Sequence, residues 1–297
     1  MTSIPVILNP TAGGGRLLRQ QPDLEGTARA LDVELQWWMT DHKGHAEELG
    51  MRAAAEGHPL VLAWGGDGTY NEVARGLVGS ETAMGVLPGG TTSVLAYEFN
   101  VPRPAVRALG VVVHGQNRTM RVGRTDRGDL VVLMLSSGPD AVIVRDAFAR
   151  RRRHDGKLGI ALQAVREFAG GRPLPRLRVR AGDRTVDGGW VIAGNSTCFG
   201  GPIRATPGAD PFAAGFEVVI HRTLGRRSAT AFAISLVLGR HLRRKDVERI
   251  AVNSLTIEAI PGDATVPYQV DGDPIMSLPV TLEVDPRPLL VRLPMTR

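Results

Sequence analysis

The stretch Gly65-Gly66-Asp67-Gly68-Thr69-Tyr70-Asn71-Glu72 sets a carboxylate among glycines, directly behind the apolar run Leu60-Val61-Leu62-Ala63-Trp64. The apolar run reads as a buried strand. The glycines permit a tight turn and let a ligand come close to the backbone. A helix opening at Thr69 would aim its first N–H groups at an anion. Asp67 stands inside that cradle. A phosphate site with its own carboxylate suits Mg²⁺ and phosphoryl transfer better than simple anion storage. Gly-Gly-Asp-Gly is also an ordinary turn composition, so the surrounding pattern has to decide.

That pattern repeats the same strand, polar loop and helix. Ile4 to Leu8 leads into Asn9-Pro10-Thr11-Ala12-Gly13-Gly14-Gly15-Arg16, and Val33 to Trp38 leads into Thr40-Asp41-His42-Lys43-Gly44-His45. Met84 to Leu87 leads into Pro88-Gly89-Gly90-Thr91-Thr92-Ser93. Alternating strands and helices with short loops imply a parallel sheet covered on both faces. Ligands of such sheets bind beyond the carboxyl ends of the strands, so the four loops should meet in one crevice. The Gly-x4-Gly-Lys-Ser/Thr and Gly-x-Gly-x-x-Gly phosphate motifs are both absent. The cleft must use another arrangement.

After Arg118 the alternation stops. Thr119–Val122, Asp129–Leu135, Arg176–Ala181, Trp190–Ala193, Glu217–His221, Ser254–Ala259 and Thr281–Val284 read as strands with few helices between them. This predicts a mainly antiparallel sandwich, interrupted by helices at Lys157–Ala169 and Arg227–Arg244. The expected domains are 1–120, an α/β nucleotide-binding domain, and 121–285, a β-sandwich.

In order and spacing these motifs resemble the diacylglycerol kinase catalytic family, the bacterial lipid kinases related to diacylglycerol, sphingosine and ceramide kinases. The matching residues are Asn9-Pro10 with its glycine loop, Thr40 with Gly44-His45-Ala46, Gly65 to Glu72, and Pro88-Gly89-Gly90-Thr91. Further along they are Gly138-Pro139-Asp140-Ala141, Gly156-Lys157-Leu158, Asn195 with Gly200-Gly201, Pro207-Gly208-Ala209-Asp210 and Val270-Asp271-Gly272-Asp273. The Gly-Gly-Asp-Gly-Thr element is shared with NAD kinases; the later motifs favour the lipid kinases.

The resemblance implies a first domain like those of NAD kinase and phosphofructokinase, to which a C-terminal segment, 286–297, returns with a strand near Leu289 to Leu293. It implies that Asn9, Arg16, Thr40, Gly65, Gly66, Asp67, Gly68, Thr69, Asn71, Glu72, Gly90 and Thr91 bind nucleotide. It further implies that Asp67 and Asp273 are catalytic, with Asp273 the general base for the lipid hydroxyl, and that ATP and Mg²⁺ take part. Asp67, Asp210 and Glu217 are the metal candidates. Two departures bear on the substrate. The family's Asn-Asp pair after the Gly-Thr step is replaced by Ser93 and Val94, closer to the ceramide and sphingosine branches, and Ala214 stands where relatives carry an acid. A kinase for a soluble metabolite such as NAD, or a non-catalytic nucleotide or lipid sensor, therefore stays open.

Composition narrows the setting. The chain has 297 residues, 43% of them hydrophobic, enough for two cores. Cys198 is the sole cysteine, which excludes an intramolecular disulfide; its apolar surroundings suggest a buried thiol. No signal region is expected, since the sequence enters a strand at once, and the longest apolar candidate, Ala229–Leu238, is too short to span a bilayer. A cytoplasmic, peripherally membrane-associated protein is expected, with room for a homodimer. Net charge is +6, and the basic residues cluster at Arg145 and Arg150 to Lys157, and again at Arg240 to Lys245. Such clusters suit an anionic membrane surface carrying the lipid substrate, or are simply solvated. With few interleaved aromatics and no recognised binding motif, nucleic acid is not expected as a partner.

Overall fold

A computed structural model describes residues 2–149, 174–260 and 266–295. In chain order its first elements are β1 (Thr2–Leu8), α1 (Gln21–Ala30), β2 (Val33–Met39), α2 (His45–Ala55), β3 (Leu60–Gly65), α3 (Asp67–Leu77), β4 (Ala83–Pro88), α4 (Val94–Glu98), α5 (Ala105–Val113) and β5 (Gln116–Met120). They are followed by β6 (Gly123–Thr125), β7 (Leu130–Val131), β8 (Met134–Ser137), α6 (Pro139–Ala149), β9 (Leu177–Ala181), β10 (Arg184–Gly188) and β11 (Trp190–Gly194). Next come β12 (Cys198–Phe199), β13 (Ile203–Arg204), β14 (Phe216–His221), α7 (Arg226–Val237), β15 (Val247–Val252) and β16 (Ser254–Ala259). The last are β17 (Pro267–Val270), β18 (Asp273–Ser277), β19 (Val280–Val284) and β20 (Leu289–Leu293). The helix expected at Lys157–Ala169, the Gly156-Lys157-Leu158 motif and the Arg150 to Lys157 cluster lie outside the described residues.

The chain divides into two units, residues 1–121 with 286–297, and residues 122–285. The first holds a sheet of strand order β2-β1-β3-β4-β20-β5. Its pairs are parallel except β20 with β5. β3 and β4 are buried along their whole length, which is why both read as unbroken apolar runs. α2 and α3 pack backbone to backbone through glycines. A Cβ on Gly76 would lie 2.3 Å from the Glu47 carbonyl oxygen, and one on Gly50 would lie 3.0 Å from that of Val73.

The second unit is a sandwich of two antiparallel sheets, ordered β10-β9-β16-β19-β6-β7 and β15-β14-β11-β8-β17-β18. Val179, Leu255, Ile257 and Leu282 of one sheet share a core with Leu135, Val191, Val218 and Tyr268 of the other. The Cys198 side chain is buried, as its apolar setting suggested.

Four local expectations are corrected. The helix after β3 starts at Asp67, not Thr69. Thr119–Val122 is not one strand: β5 ends at Met120 and β6 begins at Gly123, in the other unit. Asp129–Leu135 also breaks, into β7 and β8. The reason is that the Asp271 carboxylate takes the N–H groups of Val132, Leu133 and Met134, each at 2.8 Å, and so bends the chain between the two strands. The helix from residue 227 stops at Val237 rather than Arg244, because Gly239 adopts a left-handed φ of 65°.

Asp140, at the start of α6, is buried and its pKa is pushed up to about 6 by that burial, against hydrogen bonds from Ser136 and others. The Ser136 hydroxyl donates to its Oδ2, and Ser136 in turn accepts from Gln269 Nε2 at 2.6 Å. A carboxyl raised above its unfolded value favours the fold when protonated. That contribution is full below about pH 4 and is lost as the pH rises through about 6. Asp140→Asn should therefore raise the denaturation midpoint at neutral pH by an amount worth about 1–3 kcal/mol, and flatten the change in stability between about pH 4 and pH 6. Urea titrations across that range check it. Gly76→Ala should lower stability by about 1–3 kcal/mol, because overpacking against the α2 backbone outweighs the roughly 1 kcal/mol gained in helix propensity. The urea midpoint of that variant is the measurement.

Candidate functional site

The carboxyl ends of β1, β3 and β4 carry glycine loops that touch. Gly13, Gly14 and Gly15 all lie in the left-handed region, at φ 60°, 72° and 77°, a conformation costly for residues with a side chain. A Cβ on Gly13 would fall 2.6 Å from the Gly89 carbonyl oxygen, and one on Gly90 would fall 2.6 Å from Gly66 Cα. Gly89 N–H donates to the Gly65 carbonyl at 2.8 Å. The fourth loop joins the same edge, since Thr40 N–H donates to the Leu8 carbonyl at 2.9 Å. Tyr70 pins this corner from below. It is buried in α3, and its hydroxyl reaches the carbonyls of Gly65 at 2.8 Å and Leu87 at 2.9 Å. Burial pushes its phenol pKa up, so it stays a neutral donor.

Asp67 is the first residue of α3 and is half-buried. Its Oδ2 accepts from the Thr92 hydroxyl at 3.1 Å, and its Oδ1 from the Leu95 N–H at 3.2 Å. Burial raises its pKa, while hydrogen bonds from the Val94 and Leu95 N–H groups and from Thr92 oppose the rise. The carboxylate thus caps the start of α4 and ties the Pro88 to Thr92 loop to α3. Thr69, two residues along, is buried, and its side chain folds back on Gly65, where a Cβ would come within 2.4 Å of Thr69 Oγ1. Asn9 Nδ2 donates to that Oγ1 at 3.3 Å. Asn71 is buried on α3, and Glu72 is half-buried beside it.

The structure therefore brings Asn9, Thr40, Gly65, Gly66, Asp67, Thr69 and Gly90 to one edge of the sheet. Gly68 has open space around it. Arg16 turns back on its own loop, its Nε donating to the Gly13 carbonyl at 2.8 Å.

Arg103 was not picked out by the sequence. Its guanidinium holds the carbonyls of Thr92 at 3.0 Å and of Gly90 and Thr91 at 3.3 Å, and lies over the Tyr97 ring. It sits between two prolines in a stretch that reads as a connection, and nothing local signals its reach. Asp41, His42 and His45 offer ligand atoms within 4.8 Å of one another at the start of α2, the one such cluster among the described residues. All three are exposed or half-buried. The hydrogen bond between Asp41 and His42 lowers the carboxyl pKa and raises that of the imidazole.

The remaining candidates belong to the second unit. Asp271 has a left-handed φ of 52°, which the sequence could have suggested, because Asp tolerates that region before a glycine. Its three N–H partners from residues 132–134 anchor the turn. Gly272 N–H adds a bond to Gln269 Oε1 at 2.7 Å. Asp273 follows as the first residue of β18, paired with Val270. It is half-buried, and its carboxylate makes no hydrogen bond among the described residues. Asp210 Oδ1 accepts from the Phe212 N–H at 2.9 Å. Glu217 is buried beside a cavity of about 370 Å³ lined by Gly208, Asp210, Arg249 and Asn253 among others. It takes the Gly208 N–H at 2.6 Å and pairs with the Arg249 guanidinium.

Comparison with known proteins accounts for both units. A family model for the diacylglycerol kinase catalytic domain matches residues 3–125, and one for the YegS C-terminal NAD kinase β-sandwich-like domain matches residues 133–293. A diacylglycerol kinase of Mycobacterium tuberculosis (strain CDC 1551 / Oshkosh) is 24% identical over 98% of this chain and 95% of its own length. A diacylglycerol kinase of Staphylococcus aureus (strain bovine RF122 / ET3-1) is 30% identical over 40% of this chain and 38% of its own. The fold matches the crystal structure of a diacylglycerol kinase from Bacillus anthracis str. Sterne with a TM-score of 0.73 and 16% identity, over 98% of this chain and 96% of that one. Glycine loops gathered at one sheet edge, Asp67 held among them and the two models end to end lead to one conclusion: the chain belongs to the diacylglycerol kinase catalytic-domain family, with the NAD kinase β-sandwich-like domain as its C-terminal part.

Proposed function

We propose that this protein is an ATP-dependent lipid kinase, transferring the γ-phosphoryl group to a hydroxyl of a membrane lipid of the diacylglycerol, sphingosine or ceramide kind. The observation that carries the reading is the backbone contact of the three glycine loops around half-buried Asp67. Side chains are excluded there, and N–H groups at the start of α3 are left for nucleotide phosphates. Asn9, Thr40, Gly66, Gly68, Thr69 and Thr91 are the proposed nucleotide contacts, and Arg103 keeps the Gly90 to Thr92 backbone in place.

Magnesium fits this donor set. The ion usually takes one or two carboxylates and completes its shell with water and substrate phosphates, and Asp67 keeps acceptor capacity beyond the bonds it makes. When bound, Mg²⁺ supplies neutralisation of phosphate charge. Glu217 does not fit as a second site, because Arg249 already neutralises its charge. In the transfer step the acceptor oxygen bonds to the γ-phosphorus as the bond to the β-bridging oxygen breaks, ADP leaves, and the hydroxyl proton passes to the carboxylate of Asp273. Asp273 is suited to this as a partly exposed carboxylate on a turn fixed by Asp271.

Purified protein with γ-labelled ATP, offered diacylglycerol, sphingosine, ceramide and NAD separately, tests the reading. Label in a lipid supports it, label in NAD alone replaces it with a soluble-metabolite kinase, and label in none of them overturns it. Asp67→Asn should abolish transfer while a thermal melt still shows a cooperative fold; retention of most activity would remove Asp67 from the mechanism. Asp273→Asn should lower kcat by about 10²–10⁴-fold and leave ATP affinity, measured by calorimetry, nearly unchanged. A fall of less than about tenfold excludes Asp273 as the base.

A further inference from the structure

Helix α7 has two apolar stripes, and only one of them is needed by the fold. Ala229, Phe232 and Leu236 face inward and are buried. Phe232 is held among the rings of Trp190 at 5.1 Å, His221 at 5.0 Å and His241 at 6.1 Å. The outer stripe runs through Ala231, Ile234 and Leu238, three residues that recur at helical spacing, with Val237 beside them. Ile234 is 56% exposed, Val237 65% and Leu238 62%. Leu224, just before the helix, is exposed as well. Single exposed leucines are ordinary; adjacent ones along one helix face, with no polar residue except Ser235 from Ala231 to Leu238, are not.

The charge around this stripe is of one sign. From Arg222 to Lys245 the sequence contains no Asp or Glu, while Arg222, Arg226, Arg227, Arg240, Arg243, Arg244 and Lys245 are basic. The nearest acids downstream are already paired, Asp246 with Arg244 at 2.6 Å and Glu248 with Arg184 at 2.9 Å and Arg222 at 3.6 Å. Arg240, Arg243 and Lys245 are exposed around the C-terminal end of the apolar stripe. Gly239, at φ 65°, turns the chain there, so the apolar tip and the basic residues occupy adjoining surface.

From this juxtaposition we infer that the outer face of α7, with Arg240, Arg243 and Lys245, docks the protein onto an anionic lipid surface. Ile234, Val237 and Leu238 enter the acyl boundary, and the cations sit among the headgroups. The inference gives a location to the lipid-bound substrate and rests on the kinase reading only for its purpose. An apolar stripe flanked by basic residues and free of acids matches an anionic membrane in both chemistry and charge. A second copy of the chain would bring the same cations face to face, which opposes self-association through this patch.

Sedimentation with phosphatidylcholine vesicles, with and without phosphatidylglycerol, tests it. Wild type should bind the anionic vesicles, more tightly at low salt than at high salt, and bind neutral ones weakly. The triple variant Arg240→Gln, Arg243→Gln, Lys245→Gln should lose about a hundredfold in binding, given about fivefold per basic residue at a charged surface. Ile234→Ser with Leu238→Ser should lose about tenfold or more. These side chains are exposed, so both variants should melt like wild type. Leu238→Trp should add fluorescence that shifts to the blue on binding and is quenched by brominated acyl chains.

No wild-type binding at low salt overturns the inference. Binding unchanged in both variants places docking elsewhere and overturns it too, as does a dimer that Leu238→Ser dissociates in the absence of vesicle binding. Vesicle binding through this face without phosphorylation of any lipid supports the docking surface while removing the kinase reading. Phosphorylation of dispersed short-chain lipid without vesicle binding removes the docking surface alone.

Discussion

The first unit depends on the meeting of glycine backbones where its strands end. Gly13 against Gly89, and Gly66 against Gly90, approach closely enough that a methyl group on Gly13 or Gly90 would collide with backbone. Backbone that close presents N–H groups in place of side chains, which is what binding a polyanion requires. It is an expensive arrangement. Glycine loses more conformational freedom on folding than any other residue, and these loops add little apolar burial of their own. The buried strands β3 and β4, and Tyr70 beneath the loops, supply the rigidity that the loops lack.

Each unit then uses one aspartate to organise backbone amides. Asp67 collects the N–H of Leu95 and the hydroxyl of Thr92, and so joins the first turn of α3 to the start of α4. Asp271 collects three successive N–H groups from residues 132–134, and so joins the β17–β18 turn to the break between β7 and β8. Hydrogen bonds to a charged acceptor contribute about 1.5–3 kcal/mol each, more than neutral ones. A carboxylate held this way is fixed in direction as well as stabilised. In the proposed mechanism Asp67 uses that fixity itself, whereas Asp271 passes it to Asp273, two residues on.

Charge is distributed with similar economy. Paired cations such as Arg124 with Asp285 and Arg249 with Glu217 hold turns and strand ends together within the sandwich. The cations after α7 surround apolar residues that the core does not use. Among the described residues no helix is long and apolar enough to cross a membrane.

Much of this was written in local sequence. Fully buried strands read as unbroken apolar runs and glycine loops announce their turns, so the parallel sheet, the antiparallel sandwich and the position of Asp67 behind a strand could all be read directly. Both signals involve neighbours along the chain. What the sequence could not show was every contact made by residues far apart in it. Arg103 reaches back to three carbonyls across α4, and nothing in Pro-Arg-Pro encodes that reach. The split of Asp129–Leu135 into two strands is imposed by a carboxylate more than a hundred positions later. Asp271 and Asp273 look alike as a pair of acids around a turn glycine, yet one is spent on backbone amides and the other is not. Local sequence sets which conformations each segment prefers. Only the folded chain decides which acceptor each donor finds, because that choice depends on distances in space that residue types do not carry.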